Sequence, residues 1–154
     1  MEAARRGACL ILALAALAAG CGGSNKNDAA ACSVDRGLLP EWARTGFSDP
    51  KPKMPHVLGR GGEITAILFG DPLASPPRPD RANKVLWVPR ETPLTFTRLA
   101  ITARQGDRTV TRKVDLGPSY VDLPAPGCWQ LTLQWAGHED TLNLEYTKPI
   151  ADLR

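Results

Sequence analysis

The sequence predicts an all-β fold, and three observations lead to this prediction. Glycine and proline occur 14 times each in 154 residues, about one and a half times their average combined share, which argues against a helical bundle. Several short segments alternate between apolar and polar residues, the pattern of a strand with one buried face. These segments fall in the proline-free stretches 56–71, 80–88, 94–117 and 127–148, and proline is excluded from central strands because it lacks the N–H that a sheet requires.

Three single strands are predicted in the middle of the chain. Ile64–Phe69 is apolar on both faces, as expected of a central strand that is covered on both sides. Val85–Val88 has the same character, and Tyr120–Leu123 predicts a further short strand. Before them, Glu41–Arg44 can form at most one turn of helix. The chain therefore has no convincing amphipathic helix.

Two hairpins complete the set of predicted strands. Residues 99–103 lead up to a turn at 105–107, and residues 110–114 lead away from it. In 128–146, tryptophan, leucine and tyrosine alternate with polar residues on both arms of a turn at 136–139. Alternation on both arms of a turn is typical of a hairpin with one buried face.

About seven short strands favour a single β-sandwich, with a small closed barrel as the alternative. Residues 126–133, Pro-Gly-Cys-Trp-Gln-Leu-Thr-Leu, are similar to the strand entry of bacterial immunoglobulin-like modules, and Trp87 on an early strand adds to the resemblance. The resemblance implies an immunoglobulin-like β-sandwich over residues 32–148, followed by a C-terminal tail at 149–154. Because strand 63–69 has no cysteine, the conventional inter-sheet disulfide of antibody domains is not expected.

The N-terminus predicts a signal peptide over residues 1–20. Arg5 and Arg6 form a positively charged start, and Ala8–Ala19 is an uninterrupted apolar run. A membrane-spanning helix needs about 20 apolar residues, so this run is too short to be a stable span. We therefore expect the protein to be exported.

Residues 17–21, Leu-Ala-Ala-Gly-Cys, resemble the lipoprotein box of bacteria. The resemblance implies that Cys21 carries a lipid and becomes the first residue of the mature chain, at the start of a flexible tether over 21–31. It also implies a membrane-anchored protein facing the extracytoplasmic side, since two or more acyl chains anchor a protein stably. The alternative is a plain signal peptide that leaves Cys21 as an ordinary thiol.

Two cysteines remain for the folded region once the signal peptide is removed and Cys21 is lipidated. They are Cys32 and Cys128, and a disulfide is the default for such a pair in an oxidising compartment. The alternatives are a metal site or a catalytic thiol. Both are less favoured because there is no Cys-x-x-Cys motif, and the only histidines, His56 and His138, are far from metal-ligand spacing.

The remaining features exclude several functions. A net charge of +3, dispersed along the chain, argues against nucleic acid as a partner. Catalytic residues are not expected, because Gly-x-Ser-x-Gly is absent and His138 falls in a predicted turn. Met54 and His56 are copper-ligand types, but the mature chain has no other methionine. No metal and no other cofactor are therefore expected.

The sequence thus predicts a non-catalytic, membrane-anchored envelope lipoprotein that acts as a structural or protein-interaction module. The alternative is an envelope module that binds a glycan or an anionic polymer through the proline-rich loop 70–84. Its candidate ligand surface consists of Trp42, Arg78, Arg81 and Lys84, because prolines reduce the entropy lost on docking and Trp42 is the one tryptophan outside the predicted strands. A loop of this length is also compatible with an ordinary crossover between two strands.

Overall fold

The computed structural model describes residues 32–149. The predicted signal peptide, the predicted tether with Cys21, and residues 150–154 lie outside the described residues. No helix in the described part is long and apolar enough to cross a membrane. The described chain forms a single turn of 3-10 helix, Glu41–Ala43, and nine strands: β1 (His56–Leu58), β2 (Ile64–Leu68), β3 (Leu73–Ala74), β4 (Lys84–Pro89), β5 (Arg98–Gln105), β6 (Arg108–Asp115), β7 (Pro118–Tyr120), β8 (Gly127–Trp135) and β9 (His138–Thr147).

The strands form two sheets. The first has the order β1-β2-β4-β7 and the second has the order β3-β9-β8-β5-β6. All neighbouring strands are antiparallel except β3 and β9, which are parallel. The described chain is therefore all-β, as predicted, and its two sheets are consistent with a β-sandwich.

The predicted number of seven strands is wrong, because β1 and β3 are additional. They have three and two residues, too few for an alternating pattern to be recognised. β3 also lies in the proline-rich loop, between Pro72 and Pro76. The strand predicted at 120–123 is Pro118–Tyr120 instead. Proline is tolerated there because β7 is an edge strand, with one side free of sheet hydrogen bonds.

The core lies between the two sheets and follows the predicted alternation. In β8, Trp129, Leu131, Leu133 and Trp135 are buried, and the residues between them are exposed or half-buried. β5 and β9 show the same alternation, whereas β6 has no buried residue. The antiparallel pairing of β5 with β6 and of β8 with β9 confirms both predicted hairpins. The other large core residues are Ile64, Leu68, Leu73, Val85, Trp87, Leu99, Ile101, Val121, Leu123, Leu142, Leu144 and Tyr146.

Both faces of β2 are covered, as predicted for a central strand. All five of its residues are buried. Ile64, Ala66 and Leu68 belong to the core, whereas Thr65 and Ile67 face the other way and are buried as well. Segment 38–53 folds back on itself through a bridge between Leu38 and Lys53 and contains the buried Leu39 and Ala43.

The β8–β9 hairpin closes with a two-residue turn. Ala136 and Gly137 both have positive φ angles, +42° and +81°, as in the type I′ turns that match the twist of two strands. The turn predicted at 136–139 is therefore shorter than expected, and His138 is the first residue of β9, paired with Trp135.

We expect Ala136→Gly to raise the free energy of unfolding by about 0.5 to 1 kcal/mol. An alanine in the left-handed region costs roughly 1 to 2 kcal/mol, and the greater freedom of glycine in the unfolded chain offsets part of the gain. Urea unfolding measures the effect. As a matched control, Ala100→Gly at an exposed position of β5 should destabilise the protein, and equal losses for both variants would contradict the argument.

Tyr146 makes the sandwich sensitive to high pH. Its hydroxyl donates a hydrogen bond to the Val121 carbonyl at 2.7 Å, and burial, assisted by the negative charge of Asp122, raises the pKa of Tyr146 above its ordinary value. The pKa of Tyr146 in the folded state therefore exceeds its unfolded value of about 10. The contribution of Tyr146 to the free energy of unfolding is complete below pH 10 and is lost as the pH rises further.

We therefore expect wild type to exceed Tyr146→Phe in stability at pH 8 by about 1 kcal/mol, the net value of a hydrogen bond. This advantage should shrink steadily above about pH 10. Urea unfolding of both proteins from pH 8 to alkaline pH measures it, and the comparison cancels the titration of groups common to both. A stability difference that stays constant with pH would show that Tyr146 does not cause the loss of stability at high pH.

Candidate functional site

The predicted disulfide is present. Cys32 and Cys128 are bonded, with Cα atoms 5.7 Å apart and a sequence separation of 96. Cys32 is the first described residue, and Cys128 is the second residue of β8, on the exposed outer face of the second sheet. The bridge therefore fixes the start of the described chain to the start of β8, which confirms the predicted pairing.

The sandwich has two ends, about 26 Å apart along the nine residues of β8. The start of β8 lies beside the β5–β6 turn and the last residues of β9. We call this the tether end, because Cys32 is bonded there. The opposite end is formed by the β8–β9 turn, loop 59–63 and loop 90–97, and we call it the distal end.

The two arginines of the predicted ligand surface contact their own loop, at the tether end. Arg78 donates from Nε and Nη2 to the Asp80 carboxylate at 2.9 and 3.0 Å, and this hydrogen bonding lowers the pKa of Asp80. Arg81 donates to the carbonyl oxygens of Asp71 and Pro72 at 2.9 and 3.3 Å. Both guanidinium groups thus stabilise the conformation of the loop that carries them.

Lys84, the third predicted cation, lies beside two exposed aromatic side chains on the outer face of the first sheet. Its Nζ is 5.6 Å from the centre of the Phe69 ring, a cation–π distance, and Tyr120 is its register partner on β7. Phe69 and Tyr120 are 45% and 63% exposed. This pair of exposed aromatics is not predicted from the sequence, because the pattern places Phe69 in a strand covered on both sides and Tyr120 in a short strand.

Trp42, the fourth predicted residue, is half-buried in the 3-10 turn. It lines a cavity of about 360 Å³ at the distal end, which we call the aromatic pocket. None of Arg78, Arg81 and Lys84 lines this pocket, so the structure divides the four predicted residues between two regions. The aromatic pocket is lined by Trp42, Thr45, Trp87, Val88, Pro89, Thr92, Pro93, Thr95, Phe96, Thr97 and Leu116.

Loop 90–97 forms one wall of the aromatic pocket and carries very exposed apolar side chains. The two ends of the loop are held by backbone hydrogen bonds. The N–H of Arg90 donates to the Glu63 carbonyl, and the N–H of Leu116 donates to the Thr97 carbonyl. Between these anchors, Leu94 is fully exposed, at 103%, and Phe96 is 77% exposed. Neighbouring exposed apolar side chains beside a cavity are a feature of interaction sites.

The aromatic pocket offers apolar contacts and hydroxyl groups, but no charge. Its lining combines aromatic rings, prolines and aliphatic side chains with four threonines, and no ionisable side chain belongs to it. Its volume lies near the lower end of the range for ligand pockets, about 300 to 1,000 Å³. Such a lining can hold an apolar or neutral group, but it has no residue suited to general acid–base chemistry.

The two histidines have local contacts. His56 is buried, and its Nδ1 donates a hydrogen bond to the Met54 carbonyl at 2.8 Å. His138 stacks on Trp135, with ring centres 5.6 Å apart, and its Nε2 lies 3.8 Å from the Glu91 carboxylate. Within the described part of the chain, no three His, Cys, Asp or Glu side chains are grouped so that they could hold a metal ion.

The exposed regions of the described residues thus differ in character. The tether end carries arginines that bind their own loop, whereas the distal end carries an uncharged pocket beside an exposed apolar loop. Comparisons of the chain with protein-family models, with curated proteins and with solved structures give no match.

Proposed function

We propose that the protein is a non-catalytic lipoprotein of a bacterial envelope, exported and anchored through a lipid on Cys21, whose β-sandwich uses the aromatic pocket as a protein-interaction surface. One observation carries the proposal. The Cys32–Cys128 bridge holds the entering chain at the tether end, while the exposed apolar loop 90–97 lies at the distal end. A domain held at one end and apolar at the other is suited to contact a partner away from its anchor.

The length of the tether agrees with this arrangement. Ten residues separate Cys21 from Cys32, and for the flexible tether that the sequence predicts, this length corresponds to a root-mean-square span of about 17 Å. This span is shorter than the strands of the second sheet, at about 26 Å. The tether end therefore stays nearer the membrane on average, and the aromatic pocket is turned towards other envelope components.

The proposal includes an immunoglobulin-like type for the sandwich. Its support is the strand order, in which β2-β4-β7 faces β9-β8-β5-β6. This order corresponds to strands A-B-E against G-F-C-C′ of immunoglobulin-like domains.

The alternative role, binding of a glycan or an anionic polymer through loop 70–84, has less support. Arg78 and Arg81 each use hydrogen bonds to stabilise that loop, and an anionic ligand would have to compete with the Asp80 carboxylate. Trp42, the aromatic residue of the predicted ligand surface, lines the aromatic pocket instead. The interaction module is therefore the better-supported function.

Membrane fractionation of bacteria that express the full chain tests the anchor. We expect wild type in the membrane fraction and Cys21→Ser in the soluble exported fraction, because the variant has no thiol to which lipid can be attached. Ser24→Ala, a change in the same tether, is the matched control and should stay with the membrane. Wild type and Cys21→Ser in the same fraction would contradict the proposed anchor.

Photocrosslinking in intact cells tests the interaction surface. A photoreactive phenylalanine analogue in place of Phe96 should crosslink to a protein, and the same analogue in place of Tyr120 should not. Both positions are exposed aromatics, so the comparison controls for exposure. Equal crosslinking from both positions would contradict a role for the aromatic pocket.

A further inference from the structure

We propose that the folded domain itself contacts the membrane that holds its lipid, through Phe69, Lys84 and Tyr120, which we call the aromatic strip. The partner of this surface is the phospholipid bilayer. The inference rests on the proposed lipid anchor, and it adds a docked orientation, in which the tether-end edge of the first sheet lies on the bilayer.

The aromatic strip crosses three neighbouring strands at the tether end of the first sheet. Phe69 follows β2, Lys84 begins β4 and Tyr120 ends β7. Lys84 is the register partner of Tyr120, and its Nζ is 5.6 Å from the centre of the Phe69 ring. Loop 70–83 joins Phe69 to Lys84 and carries β3, which pairs with the last residues of β9. The strip therefore lies at the end of the sandwich to which Cys32 is bonded.

The tether keeps this end of the sandwich close to the bilayer. Ten residues separate Cys21 from Cys32, and a chain of ten residues reaches about 35 Å at full extension. For the flexible tether that the sequence predicts, the average span is about half of that. The bilayer is therefore the one large surface that the anchor itself brings to the aromatic strip.

The two rings of the aromatic strip are too small, on their own, for a stable contact with a protein. Phe69 and Tyr120 are 45% and 63% exposed, and a buried aromatic side chain covers about 150 to 250 Å², so the two rings can bury roughly 200 Å² together. A specific protein interface needs about 800 Å² on each side. A bilayer contact needs less, because the lipid already holds the domain at a high effective concentration beside the membrane.

The chemistry of the aromatic strip matches the interfacial region of a bilayer. Tyrosine has an apolar ring and a polar tip, and lysine can keep its stem beside apolar groups while its amine reaches the phosphates. Aromatic side chains gather at membrane–water interfaces for the same reason. A sugar would instead stack on a ring face, and the Nζ of Lys84 already lies over the Phe69 ring. A phospholipid surface therefore fits the strip better than a glycan does.

The charges around the aromatic strip are nearly balanced. On the adjoining segments 35–38, 53–55, 70–84 and 121–123, the charged side chains are Arg36, Lys53, Arg78, Arg81 and Lys84 together with Asp35, Asp71, Asp80 and Asp122. Five cations against four carboxylates leave a net charge of +1. All four carboxylates accept hydrogen bonds within the protein. These segments therefore do not repel a phosphate-bearing surface, and the contact depends on the strip itself.

Photocrosslinking of the purified, lipidated full chain in vesicles of phosphatidylcholine and phosphatidylglycerol tests the contact. With a photoreactive phenylalanine analogue in place of Tyr120, we expect the mass of the chain to increase by that of one phospholipid. The same analogue in place of Phe96, which is more exposed at 77% but lies at the distal end, is the control. It should give about tenfold less of this product, the ratio set by a preference of about 1.4 kcal/mol for the docked orientation. Equal yields from the two positions would overturn the docking.

Acylation of lysine side chains by a water-soluble reagent gives an independent measure without an analogue. Lys84 should react about tenfold more slowly in the vesicle-bound wild type than in the soluble Cys21→Ser chain, which corresponds to the same preference, because docking places its amine among the headgroups. Lys113, exposed on the outer face of the second sheet, is the control and should react at the same rate in both. A Lys84 rate that is equal in the two chains would overturn the docking.

The docked orientation and the proposed function fail in different ways. If wild type fractionates with the membrane but positions 120 and 96 give equal lipid products, the docking is wrong and the anchor stands. If wild type and Cys21→Ser fractionate together, the anchor is wrong, and the docking that rests on it is wrong as well. If position 120 gives the lipid product but position 96 crosslinks to no protein in cells, the docking stands and the interaction surface is wrong.

Discussion

Asp140→Ala is expected to lower the free energy of unfolding by about 3 to 5 kcal/mol. Asp140 is only 5% exposed and accepts hydrogen bonds from the backbone N–H groups of Gly61 at 2.7 Å, Glu63 at 2.9 Å and Thr141 at 2.7 Å. Its carboxylate therefore joins loop 59–63, which follows β1, to the start of β9 in the other sheet. Alanine removes three hydrogen bonds to a charged acceptor, each worth about 1.5 to 3 kcal/mol, and water replaces part of this at the exposed Gly61.

Two further variants separate this hydrogen bonding from a general effect of mutation. Asp140→Asn keeps one acceptor oxygen and should lose less stability than alanine. Gly59→Ala should be destabilising as well, because a Cβ atom at Gly59 collides with the Asp140 carboxylate. Urea unfolding measures all three variants, and a loss below about 1 kcal/mol for Asp140→Ala would show that water replaces the carboxylate without cost.

Removal of the disulfide is the second large effect. The Cys32–Cys128 bridge spans 96 positions, and loss of a native disulfide costs about 2 to 5 kcal/mol, mainly by releasing the unfolded chain from its constraint. We expect the double variant Cys32→Ala/Cys128→Ala to lose stability within this range. The second sheet should still form, because its alternating core residues do not depend on the bridge.

Reductant supplies the matched control for the disulfide. Reduced wild type should unfold at nearly the same urea concentration as the double variant, and reductant should leave the double variant unchanged. Mass spectrometry verifies that the reductant has broken the disulfide. If the urea midpoint of wild type is then unchanged, the bridge does not stabilise the domain.

The strands with one buried face could be predicted from the sequence, because burial leaves an alternating pattern. β5, β8 and β9 follow this rule over eight to ten residues each. β1 and β3 are too short to carry a pattern, and β3 pairs with β9, which is distant in sequence. A local contact also holds β3: the buried side-chain amide of Asn83 bonds both backbone groups of Ala74.

The disulfide could also be predicted, because compartment and cysteine number leave few alternatives. The aromatic pocket could not, because it is assembled from residues near positions 42, 88, 95 and 116. In the sequence, Leu94 and Phe96 alternate with threonines as they would in a strand. Only the fold shows that no neighbouring strand covers them.

The two arginines of the predicted cationic surface contact their own loop for a local reason. Asp80 lies two residues after Arg78, close enough for the two side chains to pair within the loop. Arg81 likewise donates hydrogen bonds to carbonyl groups of the same loop. Arginine or lysine side chains that stabilise a loop cannot be distinguished by sequence from those that bind a ligand, because both occur in polar, proline-rich segments.

The central claim, a lipidated envelope protein with a disulfide-closed β-sandwich, is tested most directly by the intact mass of the full chain extracted from membranes, before and after reduction. We predict a chain that begins at Cys21, carries the mass of attached acyl groups, and gains the mass of two hydrogens on reduction because Cys32 and Cys128 are bonded. A chain that retains residues before Cys21, or one with Cys21 unmodified, would contradict the anchor. A mass that does not change on reduction would contradict the closed sandwich.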